Sequence, residues 1–272
     1  EELRISYGAD SRQHFDLFIP ANHDASTKTI FLIHGGAWCL GPLPDDPILL
    51  FDTPSIALKP DLLAAGYAVA EMKYRLACYT NTEAELTGDS NFYLDQMMAD
   101  VQTAIDQLKS EAGTLNIAAD QYALLGESAG AHLALMTALR SDDPDLKTVI
   151  SFYGPTLMDE ADFKANASSF PYTNFAVNSV FALRDQNLGC TQRTTGTMNM
   201  FKAIESFVGH PLELLSTQPE YTDTISPAYE GNLVRNLPVS LMHGMADDLV
   251  PAAHGDSLLT ALNLTFGTSP AE

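Results

Sequence analysis

Apolar residues along this chain fall into short solid runs, separated by stretches in which they recur every three or four positions. "HFDLFIP" (14–20) and "TIFLIHGG" (29–36) are of the first kind and predict strands, the second apolar enough to lie centrally in a sheet. "PDLLAAGYAVAEMKYRLA" (60–77) predicts a helix, a stop at Gly66 and a strand. "NFYLDQMMADVQTAIDQLKSEAG" (91–113) has helical spacing throughout and ends at Gly113. "YALLGESAGAHLALMTALR" (122–140) reads as strand, sharp turn and helix, while "LKTVISFYGP" and "LPVSLMHGMADD" read as two more buried strands. This alternation predicts an α/β fold, a mostly parallel central sheet with helices on both faces.

The pattern breaks at 156–225, where Phe163, Phe170, Tyr172, Phe175, Phe181, Phe201, Phe207 and Tyr221 stand among polar residues without a clear strand. A surface excursion with its own small core would explain this. A mostly helical insertion lying over a site as a cap or lid explains the length and aromatic content better.

Composition narrows the picture. A chain of 272 residues and 46% hydrophobic content suits a single α/β domain, 1–272, carrying that insertion. The formal charge of −21 repels nucleic acid and anionic lipid, so neither is an expected partner. It serves solubility, or suits a high-salt habitat in which screening relieves self-repulsion. No apolar run approaches the ~20 residues of a membrane-spanning helix, so no membrane insertion is expected. The first residue is Glu1 rather than Met, which suggests a removed leader and a soluble, secreted or periplasmic protein, although no signal peptide is visible. Three cysteines without a C-x-x-C pair exclude a disulfide scaffold and a zinc site. Cys39 and Cys78 could meet if their segments leave neighbouring strands at one sheet edge, leaving Cys190 free. Three unpaired small apolar side chains is the competing reading.

The strongest chemical signal is "GESAG" (126–130), a G-x-S-x-G sequence directly after an apolar strand and directly before a helix. Small flanking residues let such a turn lift the hydroxyl of Ser128 clear of the sheet as a nucleophile. The plainer reading makes Ser128 a helix N-cap. The second signal is "HGGAW" (34–38) at the end of a central strand. Acyl transfer needs backbone N–H groups aimed at a developing oxyanion, and Gly36 and Ala37 would offer them beside Ala129. His34 is expected to brace this loop, and His132 to pack on the helix after the elbow.

Together "HGGAW", "YRLA" (74–77), "GESAGAH" and "HGMADDLVP" resemble the esterase/lipase superfamily of α/β-hydrolases, nearest its carboxylesterase and hormone-sensitive-lipase-like branch. The likeness runs from about residue 14 to 257, except across the insertion. Ala37 stands where many relatives have a third Gly. The resemblance makes Asp247 the triad acid, leaves Asp248 to face solvent or cap the next helix, and gives His243 a supporting role in the loop. It implies no metal and no organic cofactor.

In that family the base follows one further helix and one further strand. After Asp247 the only histidine is His254, at the start of the intervening helix, while "LNLTFGTSPAE" (262–272) reads as the beginning of the last strand or a shortened substitute. Three accounts compete: the base lies beyond Glu272, His254 has taken the role, or the protein is a catalytically dead relative. The first is preferred, because the Ser and Asp motifs are intact. The expected function is serine carboxylic-ester hydrolysis, with a small-molecule or polymer-borne ester as substrate. A serine peptidase of the same fold and a non-catalytic binding module are the rivals.

Overall fold

The computed structural model describes residues 2–36, 38, 54–76, 92–158, 225–245, 247 and 250–267. Among these, seven strands form one sheet in the order β1-β2-β4-β3-β5-β6-β7. The strands are β1 (Glu2–Ser6), β2 (His14–Phe18), β3 (Thr29–Ile33), β4 (Ala68–Met72), β5 (Tyr122–Glu127), β6 (Leu146–Phe152) and β7 (Val239–Met242). β1 and β2 pair antiparallel at one edge, and β2 is antiparallel to β4. All pairings from β4 through β7 are parallel. Among the described residues four α-helices accompany the sheet: α1 (Pro54–Ala64), α2 (Phe92–Leu115), α3 (Ala129–Arg140) and α4 (Ala253–Phe266).

β3 and β5 are buried at every position, as their unbroken apolar runs require. Side chains alternate across the sheet, so Phe31 and Ile33 join one core cluster and Ile30 and Leu32 the other. The first cluster takes in α2 and α3 through Met97, Val101, Ile105, Leu133 and Leu135. The second takes Leu58, Leu62 and Leu63 of α1. The placement follows from the connections. β3 runs through α1 to β4 on one side, then β4 runs through α2 back past β3 to β5. Right-handed crossovers in opposite directions put their helices on opposite faces. The carboxyl ends of β3 and β5 therefore form a topological switch point, where connections diverge and leave a crevice.

Backbone contact at that point is close. A Cβ on Gly130, in the first turn of α3, would lie 2.1 Å from the Ile33 carbonyl oxygen and 2.4 Å from that of His34. One on Gly126 would lie 2.3 Å from the Gly130 carbonyl oxygen. Gly35 packs in the same way, its missing Cβ 3.2 Å from the Ser128 Cβ.

The Gly66 stop is a Schellman-type end, with φ 89° and the Tyr67 N–H donating to the Leu62 carbonyl at 3.0 Å. Two expectations are corrected, and one strand was not foreseen. The helix before Gly66 begins at Pro54 and holds Pro60 inside it. β1, a half-exposed edge strand with little apolar signal, goes unread in the sequence. Residues 262–266 are the end of α4 and not a strand. "LNLTF" alternates locally, yet Leu258, Ala261, Leu262 and Phe266 continue a helical stripe, and they pack on the core.

The cap expected at 156–225 lies, apart from Thr156–Met158 and Ile225, outside the described residues, as do Cys39, Cys78 and Cys190. Its two ends are tied together: the Met158 N–H donates to Ser226 Oγ at 3.0 Å, and the Ala228 N–H donates to the Thr156 carbonyl at 3.0 Å. No described helix is long and apolar enough to cross a membrane.

The glycine contact makes the first prediction. Gly130→Ala must push α3 off the end of β3 and should lower unfolding free energy by about 3 kcal/mol. Urea denaturation of the variant against wild type measures it, and an unchanged midpoint would contradict the contact.

Candidate active site

Ser128 sits between the last residue of β5 and the first of α3, with φ 51° and ψ −122°. Positive φ in a residue with a Cβ is strained backbone, and the surrounding contacts hold it there. The Ser128 N–H donates to the Phe152 carbonyl at 2.9 Å, and its carbonyl accepts the His132 N–H at 3.1 Å. Its side chain makes no capping hydrogen bond, although it occupies the N-cap position. Its hydroxyl is thus not spent on the helix, which is the job the plainer sequence reading gave it.

The "HGG" loop lies beside the elbow because β3 neighbours β5. Gly36 takes φ 113°, a value that suits glycine. Ala129 is buried at the start of α3. Ala37 and Asp248 lie outside the described residues. His34 does not face the elbow with a free ring. Its Nδ1 lies 2.7 Å from the Gly35 carbonyl oxygen and its Nε2 3.3 Å from Arg12 Nη2. The ring stacks on Tyr74 with centroids 4.3 Å apart.

β6 and β7 extend the row. The Tyr153 N–H, just past β6, donates to the Met242 carbonyl at 2.7 Å. Asp247 lies in the loop after β7, where Oδ1 accepts the Val250 N–H at 2.9 Å and Oδ2 is 3.7 Å from His243 Nε2. The same His243 nitrogen donates to the Val250 carbonyl, so this ring ties the Asp247 loop together. Ser128 and Asp247 thus follow the ends of two strands with one strand between them, about 10 Å of sheet.

Glu127 and Tyr153, which the sequence reading did not single out, lie directly beside Ser128 and past the end of β6. Glu127 is buried and accepts the Tyr153 hydroxyl at 3.3 Å. Burial, then Glu127, then Asp247 push the Tyr153 phenol pKa up, so it stays a neutral donor. Tyr153 also has positive φ, 43°. A carboxylate at the end of a wholly apolar strand was the available signal for Glu127. For Tyr153 there was none.

His254 is buried in the first turn of α4. Its Nδ1 accepts two backbone N–H groups, from Thr156 at 3.0 Å and Leu157 at 3.2 Å. Its carbonyl accepts the Thr156 hydroxyl. A neutral ring bonded this way carries its proton on Nε2. A triad base needs the opposite, a proton on Nδ1 directed at the acid and a lone pair on Nε2 for serine. Among the described residues no imidazole hydrogen-bonds the Ser128 hydroxyl, and His210 lies outside them. Also among the described residues, no group of three or more His, Cys, Asp or Glu side chains could hold a metal ion.

Solved structures share the fold across nearly the whole chain. One is a truncated carbohydrate esterase from gut microbiota, with TM-score 0.63 and 19% identity, covering 99% of this chain and 85% of that one. Another is carboxyl esterase 2 from Tuber melanosporum, with TM-score 0.60 and 15% identity, covering 98% of this chain and 74% of that one. Both are α/β-hydrolase folds, as is this chain. Residues 15–262 match the BD-FAE family model, and the chain belongs to that esterase-like family. In sequence it is also similar to isoprenylcysteine alpha-carbonyl methylesterase from Arabidopsis thaliana, 26% identical over 145 residues. That match covers 53% of this chain and spans 29% of the length of the plant protein.

His132 gives the second prediction. Its Nε2–H donates to the Ile225 carbonyl at 2.7 Å, which ties α3 to the point where the chain returns at 225. Full burial lowers its pKa from 6.5 to about 4, despite the opposing hydrogen bond. Above pH 6.5 the ring is neutral folded or unfolded. Between 6.5 and about 4 the unfolded chain takes up a proton that the folded one refuses. Stability should therefore fall as pH drops through that window, by about 3 kcal/mol in all. His132→Gln should reduce the proton uptake on unfolding there by nearly one, measured from urea midpoints at stepped pH. An unaltered slope would contradict the assignment.

Proposed function

We propose that the protein is a serine carboxylic-ester hydrolase. The observation that carries the reading is the strained Ser128, held at the switch point with its hydroxyl unspent on the helix it precedes. In this mechanism a histidine takes the Ser128 proton as Oγ attacks the ester carbonyl carbon. The tetrahedral oxyanion lies on the N–H groups of Ala129, Gly36 and Ala37, each worth about 3–4 kcal/mol in the transition state. The C–O bond breaks and the histidine returns its proton to the departing alcohol. Water, deprotonated by the same ring, then attacks the acyl-enzyme and releases the acid. Asp247 holds the ring in the Nδ1–H tautomer and stabilises its cation.

We assign the base to an imidazole outside the described residues, because the His254 hydrogen bonds favour the wrong tautomer. The single domain and the cap at 156–225 belong to this reading as well, the tied ends of the segment supporting an insertion. The substrate is an ester of a small molecule or one borne on a polymer. The family and the esterases that share the fold support ester over peptide hydrolysis.

Ser128→Ala should lower turnover of p-nitrophenyl acetate by three to six orders of magnitude, with folding intact by circular dichroism (about 10³–10⁶). His254→Ala should lose less than about tenfold, against about four orders for a true base. Retained activity in the first variant, or near-complete loss in the second, would overturn the corresponding assignment. A peptide anilide should not turn over.

A further inference from the structure

We propose that Arg12 is a positioning residue for the oxyanion loop, acting through the ring of His34. This rests on reading Gly36 as an oxyanion donor. A carbonyl oxygen only accepts, so the 2.7 Å contact between Nδ1 and the Gly35 oxygen requires the proton on Nδ1. A guanidinium only donates, so the 3.3 Å contact from Arg12 Nη2 requires a lone pair on His34 Nε2. The two contacts are compatible in one form alone, the neutral Nδ1–H tautomer. The tautomer with its proton on Nε2, and the doubly protonated ring, would each set N–H against N–H at Arg12.

The guanidinium is itself fixed. Its Nε donates to the Tyr74 carbonyl at 2.8 Å, while the backbone N–H of Arg12 donates to Asp10 Oδ1 at 2.8 Å and anchors the turn that carries it. Tyr74, wholly buried, stacks on the imidazole at an interplanar angle of 12° and donates its hydroxyl to the His34 carbonyl at 3.0 Å. Arg12 and Tyr74 thus clamp His34 from an edge and a face.

The consequence for the loop comes from peptide geometry. In a trans peptide the carbonyl and the following N–H point in opposite directions. A Gly35 carbonyl bonded to the imidazole turns the Gly36 N–H to the other side of the loop, away from the ring. Gly35 packs against Ser128, its missing Cβ 3.2 Å from the Ser128 Cβ, so a tilt of this peptide moves a donor beside the nucleophile. Arg12 sits in the turn between β1 and β2, and no described contact joins it to Ser128. The described hydrogen bonds link it to the Gly36 N–H in the order Arg12–His34–Gly35.

The test combines kinetics with ring spectroscopy on the intact enzyme. Long-range ¹H–¹⁵N correlations should show His34 as the Nδ1–H tautomer in wild type, and a shift toward the Nε2–H or doubly protonated form in Arg12→Ala. With p-nitrophenyl acetate, Arg12→Ala should lower kcat about tenfold to a hundredfold while KM moves less than threefold (about one to two orders, as for a misplaced donor). A trifluoromethyl ketone, which forms an oxyanion on Ser128, should bind more weakly by the same factor. Arg12→Lys, which keeps a donor, should recover part of both. A kcat within twofold of wild type would overturn the proposal, and so would a His34 ring still in the Nδ1–H form. If Arg12→Ala folds poorly, Arg12→Gln is read in the same way. Wild type without ester turnover would defeat the functional reading instead, and the ring tautomers would still decide whether Arg12 governs His34.

Discussion

The structure turns on one backbone contact, the first turn of α3 pressed against the carboxyl end of β3 where Gly130 meets the carbonyls of Ile33 and His34. Neighbouring parallel strands lie about 4.8 Å apart, and the turn after β5 must rise, reverse and start a helix within that width. Only residues without side chains at 126 and 130 allow it. The contact forces Ser128 into positive φ and brings the "HGG" loop to the same spot. The loop and the elbow are therefore one packed unit, set by which strands are neighbours.

Around that unit polar groups hold what apolar packing cannot aim. Asp100, buried in α2, accepts Arg75 Nη2 at 2.7 Å, the Arg75 N–H at 2.9 Å and Gln13 Nε2 at 2.8 Å. This fixes the segment after β4, which carries Tyr74 to His34. On the far side the Asp247 carboxylate is oriented by the Val250 N–H, with His243 tying the same loop. Hydrophobic burial builds the sheet, while these directed bonds set peptide planes and rings, the quantities on which acyl transfer depends.

The central strands, the elbow and the "HGG" loop were legible because each is a local pattern. β3 and β5 are solid apolar runs, and Gly126 and Gly130 flank Ser128 at fixed spacing. What escaped depends on distant partners. β1 is half exposed and gains its place by pairing with β2 and by packing Leu3 and Ile5 on the core. The period of "LNLTF" is ambiguous until Leu258 and the core decide it. Arg12 is an ordinary turn residue in sequence, and only the fold sets it against His34. The His254 ring was located correctly near the start of a helix, but its hydrogen bonds to Thr156 and Leu157 come from 98 and 97 residues away.

The central claim is that Ser128 is held as a reactive nucleophile by this packing. The most direct measurement is reaction of the folded protein with a fluorophosphonate, followed by peptide mass spectrometry. The account predicts a single adduct on the peptide containing Ser128, lost when the protein is unfolded in urea before reaction. No adduct on the folded protein, an adduct on another residue, or equal labelling of the unfolded chain would contradict it.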